Sequence, residues 1–180
     1  DETMDFLLAL RPSGPWNVMA IAPDVAGVES ATFIDALKAR KWLAERAKSK
    51  NLYYLPSPAP KPSGANGRAN RGDVSEVQYL HVDIDLDKLP TSHDWAKLDL
   101  AARKLQALEV LRSFTDPGPP SMIVDTGGGL QALWRLAAPG RLTADAFQER
   151  QNRHLIELFG GDSGTFSVAQ PMRLPGTVNF

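Results

Sequence analysis

The chain has 180 residues, 43% of them hydrophobic, and its 20 basic and 21 acidic side chains give a net charge of −1. That is enough apolar material for one domain or two small lobes, and no run of about 18 apolar residues predicts a membrane span. The lack of cysteine excludes disulfides and cysteine-ligated zinc and favours a cytoplasmic protein, while the near-neutral charge requires that any contact with nucleic acid use a local basic patch.

The N-terminal part of the chain predicts alternating helices and strands. Residues 5–10 have the pattern of a short amphipathic helix, and residues 16–21 that of a strand. Ser30 is predicted to cap a helix that continues to about Lys48, and residues 51–55 form a second predicted strand.

A long segment rich in proline and glycine follows, over residues 56–72. It carries Lys61, Arg68 and Arg71 and no acidic residue. A loop of this length is usually either functional or disordered. Two interpretations therefore stay open: a mobile solvated loop, or a basic arm that approaches the phosphates of a template or nucleotide.

The stretch 79–87 alternates between apolar and acidic residues, which is typical of a half-buried strand. One face carries three carboxylates, those of Asp83, Asp85 and Asp87. The other face is expected to lie in the core and carries Leu80, Val82, Ile84 and Leu86.

Neighbouring carboxylates repel each other, so a divalent cation between Asp83 and Asp85 is the simplest reason for the pattern. Oxygen ligands favour Mg²⁺ or Mn²⁺. A solvated edge strand is the plain alternative. A calcium loop fits less well, because Lys88 takes the glycine position and Pro90 interrupts the turn. A phosphatase-type aspartyl nucleophile also fits less well.

The next predicted elements are a helix and a hairpin. Thr91 or Ser92 is expected to cap the helix, which residues 116–120 end. Its inward stripe is predicted to contain Trp95, Leu98, Ala102, Leu105, Leu108 and Leu111. Strands over 121–125 and 130–136 are joined by a glycine-rich turn, and the second strand places Gln131 and Arg135 on one face.

The turn itself contains Thr126, Gly127, Gly128 and Gly129. Consecutive glycines allow positive φ and close approach of a ligand, and their N–H groups can bind an anion. An ordinary tight hairpin turn explains the same residues, so the turn alone leaves both interpretations open.

The last predicted helix runs from a cap at Thr143 to Phe159, and its inward residues are expected to be Phe147, Leu155 and Leu158. Asp162 follows the two glycines that end it. Arg173 lies between apolar residues near Pro175, which suits a fixed contact with an anion.

Three motifs in this order resemble the archaeo-eukaryotic primase superfamily, in particular the primase-polymerase domains of plasmids, phages and mobile elements. They are His81-Val82-Asp83-Ile84-Asp85-Leu86, then Thr126-Gly127-Gly128-Gly129-Leu130-Gln131, then Asp162 with Arg173-Leu174-Pro175-Gly176-Thr177-Val178-Asn179. The resemblance covers about residues 51–179 and implies an α+β fold with an RRM-like antiparallel sheet flanked by helices. It implies one catalytic domain over 1–180, with an α/β part at 1–50, a motif-bearing core at 51–180, and an end expected beyond Phe180.

The resemblance also implies roles for individual residues. Asp83, Asp85 and Asp162 match the acids that hold two Mg²⁺ or Mn²⁺ ions, although Asp162 also suits an ordinary turn. Thr126 stands at the position of a serine and Gln131 at that of a histidine in the family's nucleotide-binding motif, which includes Gly127, Gly128 and Gly129. Arg173 matches a phosphate-binding arginine, and the basic segment around Arg68 and Arg71 matches, more loosely, a conformationally variable loop before the first motif.

The implied function is template-directed nucleotidyl transfer by a DNA primase or polymerase in replication of a plasmid, phage or mobile element. The implied partners are a single-stranded DNA template, NTP or dNTP, and a replicative helicase, fused or in trans, with no membrane. Gln131 keeps a hydrogen-bond donor but cannot become cationic, so phosphate binding is expected to differ. Two other functions remain open: a non-catalytic replication or origin-binding module, and a metal-dependent nucleotide hydrolase or cyclase.

Overall fold

The computed structural model describes residues 1–23, 27–89, 94–141, 146–178 and 180. They form two compact units. The first comprises Asp1–Gln78, Pro139–Leu142 and Val168–Phe180, and the second comprises Tyr79–Ala138 and Thr143–Ser167. The division expected after residue 50 falls inside the first unit.

The described residues contain four α-helices and seven strands, besides short 3₁₀ turns. In chain order they are α1 (Glu2–Leu10), β1 (Trp16–Ile21), β2 (Val28–Phe33), α2 (Ala36–Arg46), β3 (Asn51–Tyr54), β4 (Val77–Ile84), α3 (Leu100–Ser113), β5 (Met122–Asp125), β6 (Leu130–Gly140), α4 (Phe147–Phe159) and β7 (Met172–Arg173).

The first unit contains an antiparallel sheet with strand order β2-β1-β3-β7. The predicted helix and strands in this part are confirmed as α1, β1 and β3. The predicted cap at Ser30 is wrong, because Ser30 lies in β2 and pairs with Met19 of β1. The helix begins after Asp35, whose carboxylate accepts hydrogen bonds from the N–H groups of Leu37 and Lys38.

The long segment between β3 and β4 has fixed internal contacts. Asn17 of β1 accepts from the N–H of Ala59 (2.9 Å) and donates to its carbonyl oxygen (2.8 Å). The carboxylate of Asp73 accepts from the N–H groups of Ser63 (2.9 Å) and Asn70 (2.7 Å). The segment therefore presents its basic residues from a loop that is tied down at several points.

The second unit contains a sheet with strand order β4-β6-β5, and the predicted hairpin is confirmed as β5 and β6, in which Asp125 is opposite Leu130. One face of this sheet packs on α3 and α4 in a single apolar core. Its buried residues are Val82, Ile84, Leu86, Ala107, Leu111, Leu130, Ala132, Trp134, Leu155, Ile156 and Phe159.

Several residues predicted to face the core are exposed. In the first predicted stripe, Leu105 is 69% exposed, and in α4 Phe147 and Leu158 are 49% and 51% exposed. The predicted Leu111 and Leu155 do lie in the core of the second unit, together with Ala107 and Ile156, which were not predicted. Packing against the sheet selects the face of α3 that carries Ala107 and Leu111, and Leu105 lies off that face.

The helix starts also differ from the prediction. The N-cap of α3 is Asp99, which accepts a hydrogen bond from the N–H of Ala102 (2.8 Å). α4 begins after Ala146. The predicted caps Thr91, Ser92 and Thr143 lie outside the described residues. Across the part of the chain that the structure describes, no helix combines the length and apolar character needed to cross a membrane.

Candidate active site

The acidic residues lie at the end of β4. The strand ends at Ile84, so Asp83 is on the strand, whereas Asp85 and Asp87 follow it, which corrects the expectation that all three lie in the strand. Asp83 and Asp85 are half-buried and Asp87 is exposed. Ile84 is 1% exposed, so the core face of the strand anchors the carboxylates.

Asp162 lies beside this strand. Its N–H donates to the carbonyl oxygen of Asp83 (2.8 Å). The approach depends on the preceding residue, because a Cβ on Gly161 would lie 2.8 Å from the same oxygen and 2.6 Å from a methyl group of Val82. Gly160, with φ of +65°, ends α4 in the left-handed conformation and turns the chain toward the strand. The third acid implied by the motifs is thus next to the first.

Lys88 sits among the carboxylates. Its ammonium group contacts Asp85 at 2.9 Å. The hydrogen bond to Asp85, with the added charges of Asp87 and Asp162, raises the pKa of Lys88 above its ordinary value. A hydrogen bond between the carboxyl groups of Asp85 and Asp87 raises the pKa of Asp87. Partial burial alone would raise the pKa of Asp85, but its hydrogen bonds with Asp87 and Lys88 outweigh that effect and lower it. The site concentrates negative charge and already attracts a cation.

A divalent metal suits the chemistry of this donor set, since all the candidate ligands are carboxylate oxygens. Among the described residues, however, no three acidic or histidine side chains are arranged to hold a metal ion. Asp85 is occupied by Lys88, and Asp162 Oδ1 accepts from the N–H of Gly164 (2.8 Å). A metal ion bound to Oδ2 of Asp85 would displace the ammonium group of Lys88 from that oxygen.

The glycine turn packs on the end of β4. A Cβ on Gly129 would lie 2.1 Å from the carbonyl oxygen of Ile84 and 3.2 Å from the Cα of Asp85. A Cβ on Gly128 would lie 2.8 Å from a carboxylate oxygen of Asp87, whose N–H donates to the Gly128 carbonyl (3.0 Å). Gly129 is therefore required for close backbone approach to the acidic strand, whereas the exposed side chain of Asp87 can move away from a Cβ on Gly128.

Two of the three glycine N–H groups are used inside the turn. The N–H of Gly127 donates to Asp125 (2.8 Å), and that of Gly129 donates to the hydroxyl of Thr126 (3.2 Å). The Gly128 N–H has no hydrogen-bond acceptor among the described residues. Thr126 thus shapes the turn, and Gly128 is the backbone donor that remains for an anion.

Gln131 and Arg135 lie on the same face of β6, as predicted. Gln131 is only 1% exposed, so contact with a nucleotide would require the ligand to reach a buried position. The guanidinium of Arg135 donates two hydrogen bonds to the hydroxyl of Tyr79, at 2.9 and 2.6 Å. Arg135 is thus already bound within its own unit.

The other candidate residues belong to the first unit. Arg173 lies in β7 opposite Tyr53 of β3, and its guanidinium carbon is 4.8 Å from the centre of the Tyr53 ring. Lys61, Arg68 and Arg71 have exposed side chains on the tied-down loop.

The sequence did not reveal the buried polar residues behind the acids. His81 is 1% exposed although it lies on the acidic face of β4, and its Nε2 is 2.9 Å from the carbonyl oxygen of Thr165. Burial lowers the pKa of His81 to about 4. Asn152 of α4 is fully buried and accepts from the N–H of His81 (3.0 Å). The one signal in the sequence was a histidine directly before the acidic motif.

The folded chain is similar to solved structures of primases. It matches the primase-polymerase (PrimPol) AEP domain of cyanophage S-2L with a TM-score of 0.64 and 17% identity, over 98% of this chain and 82% of that chain. It matches the catalytic domain of primase RepB′, solved in complex with initiator DNA, with a TM-score of 0.67 and 14% identity, over 99% of this chain and 79% of that one. A further RepB′ structure gives a TM-score of 0.61 with 15% identity over 98% of this chain and 50% of that chain.

No family model matches the sequence, and a comparison with curated protein sequences gave no match. The structural similarities confirm the predicted α+β fold, which this chain shares with the AEP domain of that primase-polymerase and with the catalytic domain of RepB′. At these identities the similarity concerns the fold, and function has to be argued from the site.

Proposed function

We propose that this chain is a nucleotidyltransferase that builds or extends a primer on a single-stranded DNA template, using Mg²⁺ or Mn²⁺, in replication of a plasmid, phage or mobile element. The observation that carries the proposal is the placement of Asp162 beside Asp83, with their backbones 2.8 Å apart, at the acidic end of β4. The two acids are separated by 79 positions of sequence. An ordinary solvated edge strand does not need this convergence.

In this proposal Asp83, Asp85 and Asp162 hold the metal ions. When bound, two such ions supply activation of the primer 3′-hydroxyl and stabilisation of the leaving pyrophosphate. The chain itself contributes the carboxylates and their fixed spacing, and the N–H of Gly128 contributes a hydrogen bond to a phosphate oxygen. Lys88 would move from Asp85 to the phosphates when a cation enters.

DNA would be bound by the loop of the first unit. Lys61, Arg68 and Arg71 are exposed on a segment held by Asp73, so their charges can reach backbone phosphates while the loop backbone stays fixed. Arg173 is proposed to contact the nucleotide triphosphate. A replicative helicase, fused or in trans, remains the proposed partner.

Primer extension tests the activity. Labelled dNTP or NTP is supplied on a primed single-stranded template with Mg²⁺ or Mn²⁺, and wild type is compared with Asp85→Asn and with Glu157→Gln, which removes an exposed carboxylate of the same unit. We expect metal-dependent extension by wild type and Glu157→Gln, and a loss of about a hundredfold or more in Asp85→Asn. Equal extension by Asp85→Asn and wild type would contradict the proposal that Asp85 holds a catalytic metal ion.

Two other results would replace the proposal. Release of free phosphate without chain growth indicates a metal-dependent hydrolase. No turnover together with DNA affinity indicates a non-catalytic binding module. The triple substitution of Lys61, Arg68 and Arg71 by Ala measures the DNA contact: loss of three phosphate contacts reduces the slope of log affinity against log salt by about 2.

A further inference from the structure

A buried polar group covers the outer edge of β4. This strand ends its sheet, so its outward N–H and C=O groups have no neighbouring strand among the described residues. The amide oxygen of Asn152 accepts from the N–H of His81 (3.0 Å), and the N–H of Asp162 donates to the carbonyl oxygen of Asp83 (2.8 Å). Segments following the strand in sequence thus complete its edge.

The hydrogen positions in this group follow from its partners. The carbonyl oxygen of Thr165 can only accept, so the hydrogen of His81 is on Nε2, 2.9 Å away. Nδ1 of His81 then accepts from the amide nitrogen of Asn152 (3.4 Å), which also donates to the carbonyl oxygen of Phe166 (2.9 Å). One orientation of the Asn152 amide satisfies all three of these hydrogen bonds.

Thr165 joins this group to the third acid. Its hydroxyl donates to the carbonyl oxygen of Asp162 (2.7 Å), and its N–H donates to the same oxygen (3.1 Å). The backbone of Asp162 is therefore held from both sides, by Thr165 at its carbonyl and by Asp83 at its N–H. Its side chain remains exposed.

We propose that His81, Asn152 and Thr165 are positioning residues that fix Asp162 beside Asp83 and thereby set the affinity of the acidic site for a divalent cation. The metal part of this inference rests on the proposed function, whereas the positioning part rests on the contacts alone. Asn152 and Thr165 are 0% and 5% exposed, so the contacts operate away from bulk water, where hydrogen bonds constrain geometry most strongly.

The test compares the isosteric Thr165→Val, which removes only the hydroxyl donor, with Thr165→Ser, which keeps it. Asn152→Leu removes all the side-chain hydrogen bonds of Asn152 and is the larger perturbation. Leu111→Ala is a control that weakens the apolar core of the same unit and leaves His81, Asn152 and Thr165 in place. Hydrogen exchange of the Asp162 amide is followed by NMR, and Mn²⁺ is titrated into the full chain without nucleotide or DNA.

We expect Thr165→Val and Asn152→Leu to increase the exchange rate of the Asp162 amide and the Kd for Mn²⁺ by about fivefold, the factor equivalent to one net hydrogen bond. Thr165→Ser restores both values. In Leu111→Ala we expect the exchange rate of the Asp162 amide, relative to the rates of amides in and next to α4, to stay unchanged.

Unchanged Asp162 exchange in Thr165→Val overturns the positioning role, whatever happens to metal binding. Faster exchange with unchanged Mn²⁺ affinity overturns the link to the cation. If wild type binds no Mn²⁺, the metal-dependent function fails while the exchange data still decide the positioning role, so the two failures are distinguishable.

Discussion

Replacement of Gly129 by Ala is the sharpest test of how the glycine turn supports the acids. The added Cβ would lie 2.1 Å from the carbonyl oxygen of Ile84 and 3.0 Å from its carbonyl carbon. These are backbone atoms of the acidic strand, so no side-chain rotation can relieve the clash. Overpacking costs about 1–3 kcal/mol where side chains can adjust, and we expect at least ~3 kcal/mol here.

For a chain of this size, ~3 kcal/mol corresponds to a fall in Tm of roughly 6–12 °C. Gly127→Ala is the matched control: its φ is +91°, but a Cβ there meets nothing within 4 Å. It tests backbone strain alone, with a cost of ~1–2 kcal/mol and no displacement of the strand.

Thermal unfolding and Mn²⁺ titration measure the two consequences. Gly129→Ala should lose more stability than Gly127→Ala, and only Gly129→Ala should weaken Mn²⁺ binding, because it displaces Asp85. A Gly129→Ala protein that melts within about 2 °C of wild type would show that the turn does not press on the strand, and the reasoning would be refuted.

Two further predictions concern stability. Arg103→Lys should lower the free energy of unfolding in urea by ~2 kcal/mol. The Arg103 guanidinium donates to the carbonyl oxygens of Leu86 (2.7 Å) and Ala96 (2.6 Å), and an ammonium group cannot reach both. The control Arg112→Lys, on the same helix, should change the free energy of unfolding by less than ~0.5 kcal/mol. Burial lowers the pKa of His81 from 6.5 to about 4, so between these pH values the unfolded chain binds a proton that the folded chain does not. The free energy of unfolding should therefore fall by up to ~3 kcal/mol as the pH drops from 6.5 toward 4. Urea unfolding of His81→Gln should show a weaker dependence of stability on pH over the same range.

The alternation of β4 made its core face predictable. Val82, Ile84 and Leu86 are all buried, as expected from a period of two. The opposite face was predicted to carry the acidic residues, yet Tyr79 and His81 on it are 1% exposed. Alternation identifies which residues share a face, but the cover on each face depends on long-range packing that a local pattern does not contain.

The start of α2 illustrates a second limit. Residues 28–33 contain a plausible cap at Ser30 but form β2, because pairing with β1 satisfies their backbone groups. The actual cap, Asp35, is equally visible in the sequence. Both residue types favour the N-cap position, so local propensity does not distinguish them, and the pairing of β2 with the neighbouring strand β1 excludes Ser30.

Two glycines in or beside the motifs, Gly129 and Gly161, pack directly against the backbone of β4. Carbonyl groups of successive strand residues point to opposite edges, and here Asp83 and Ile84 present theirs to two different approaching segments. Gly161 fits against the Asp83 carbonyl, and Gly129 fits against that of Ile84. Each approach leaves no room for a Cβ, so glycine is required on both sides of the acidic strand. A ligand-binding role for the turn then depends on the single N–H of Gly128, and the spacing of the acids depends on glycines that contact no ligand.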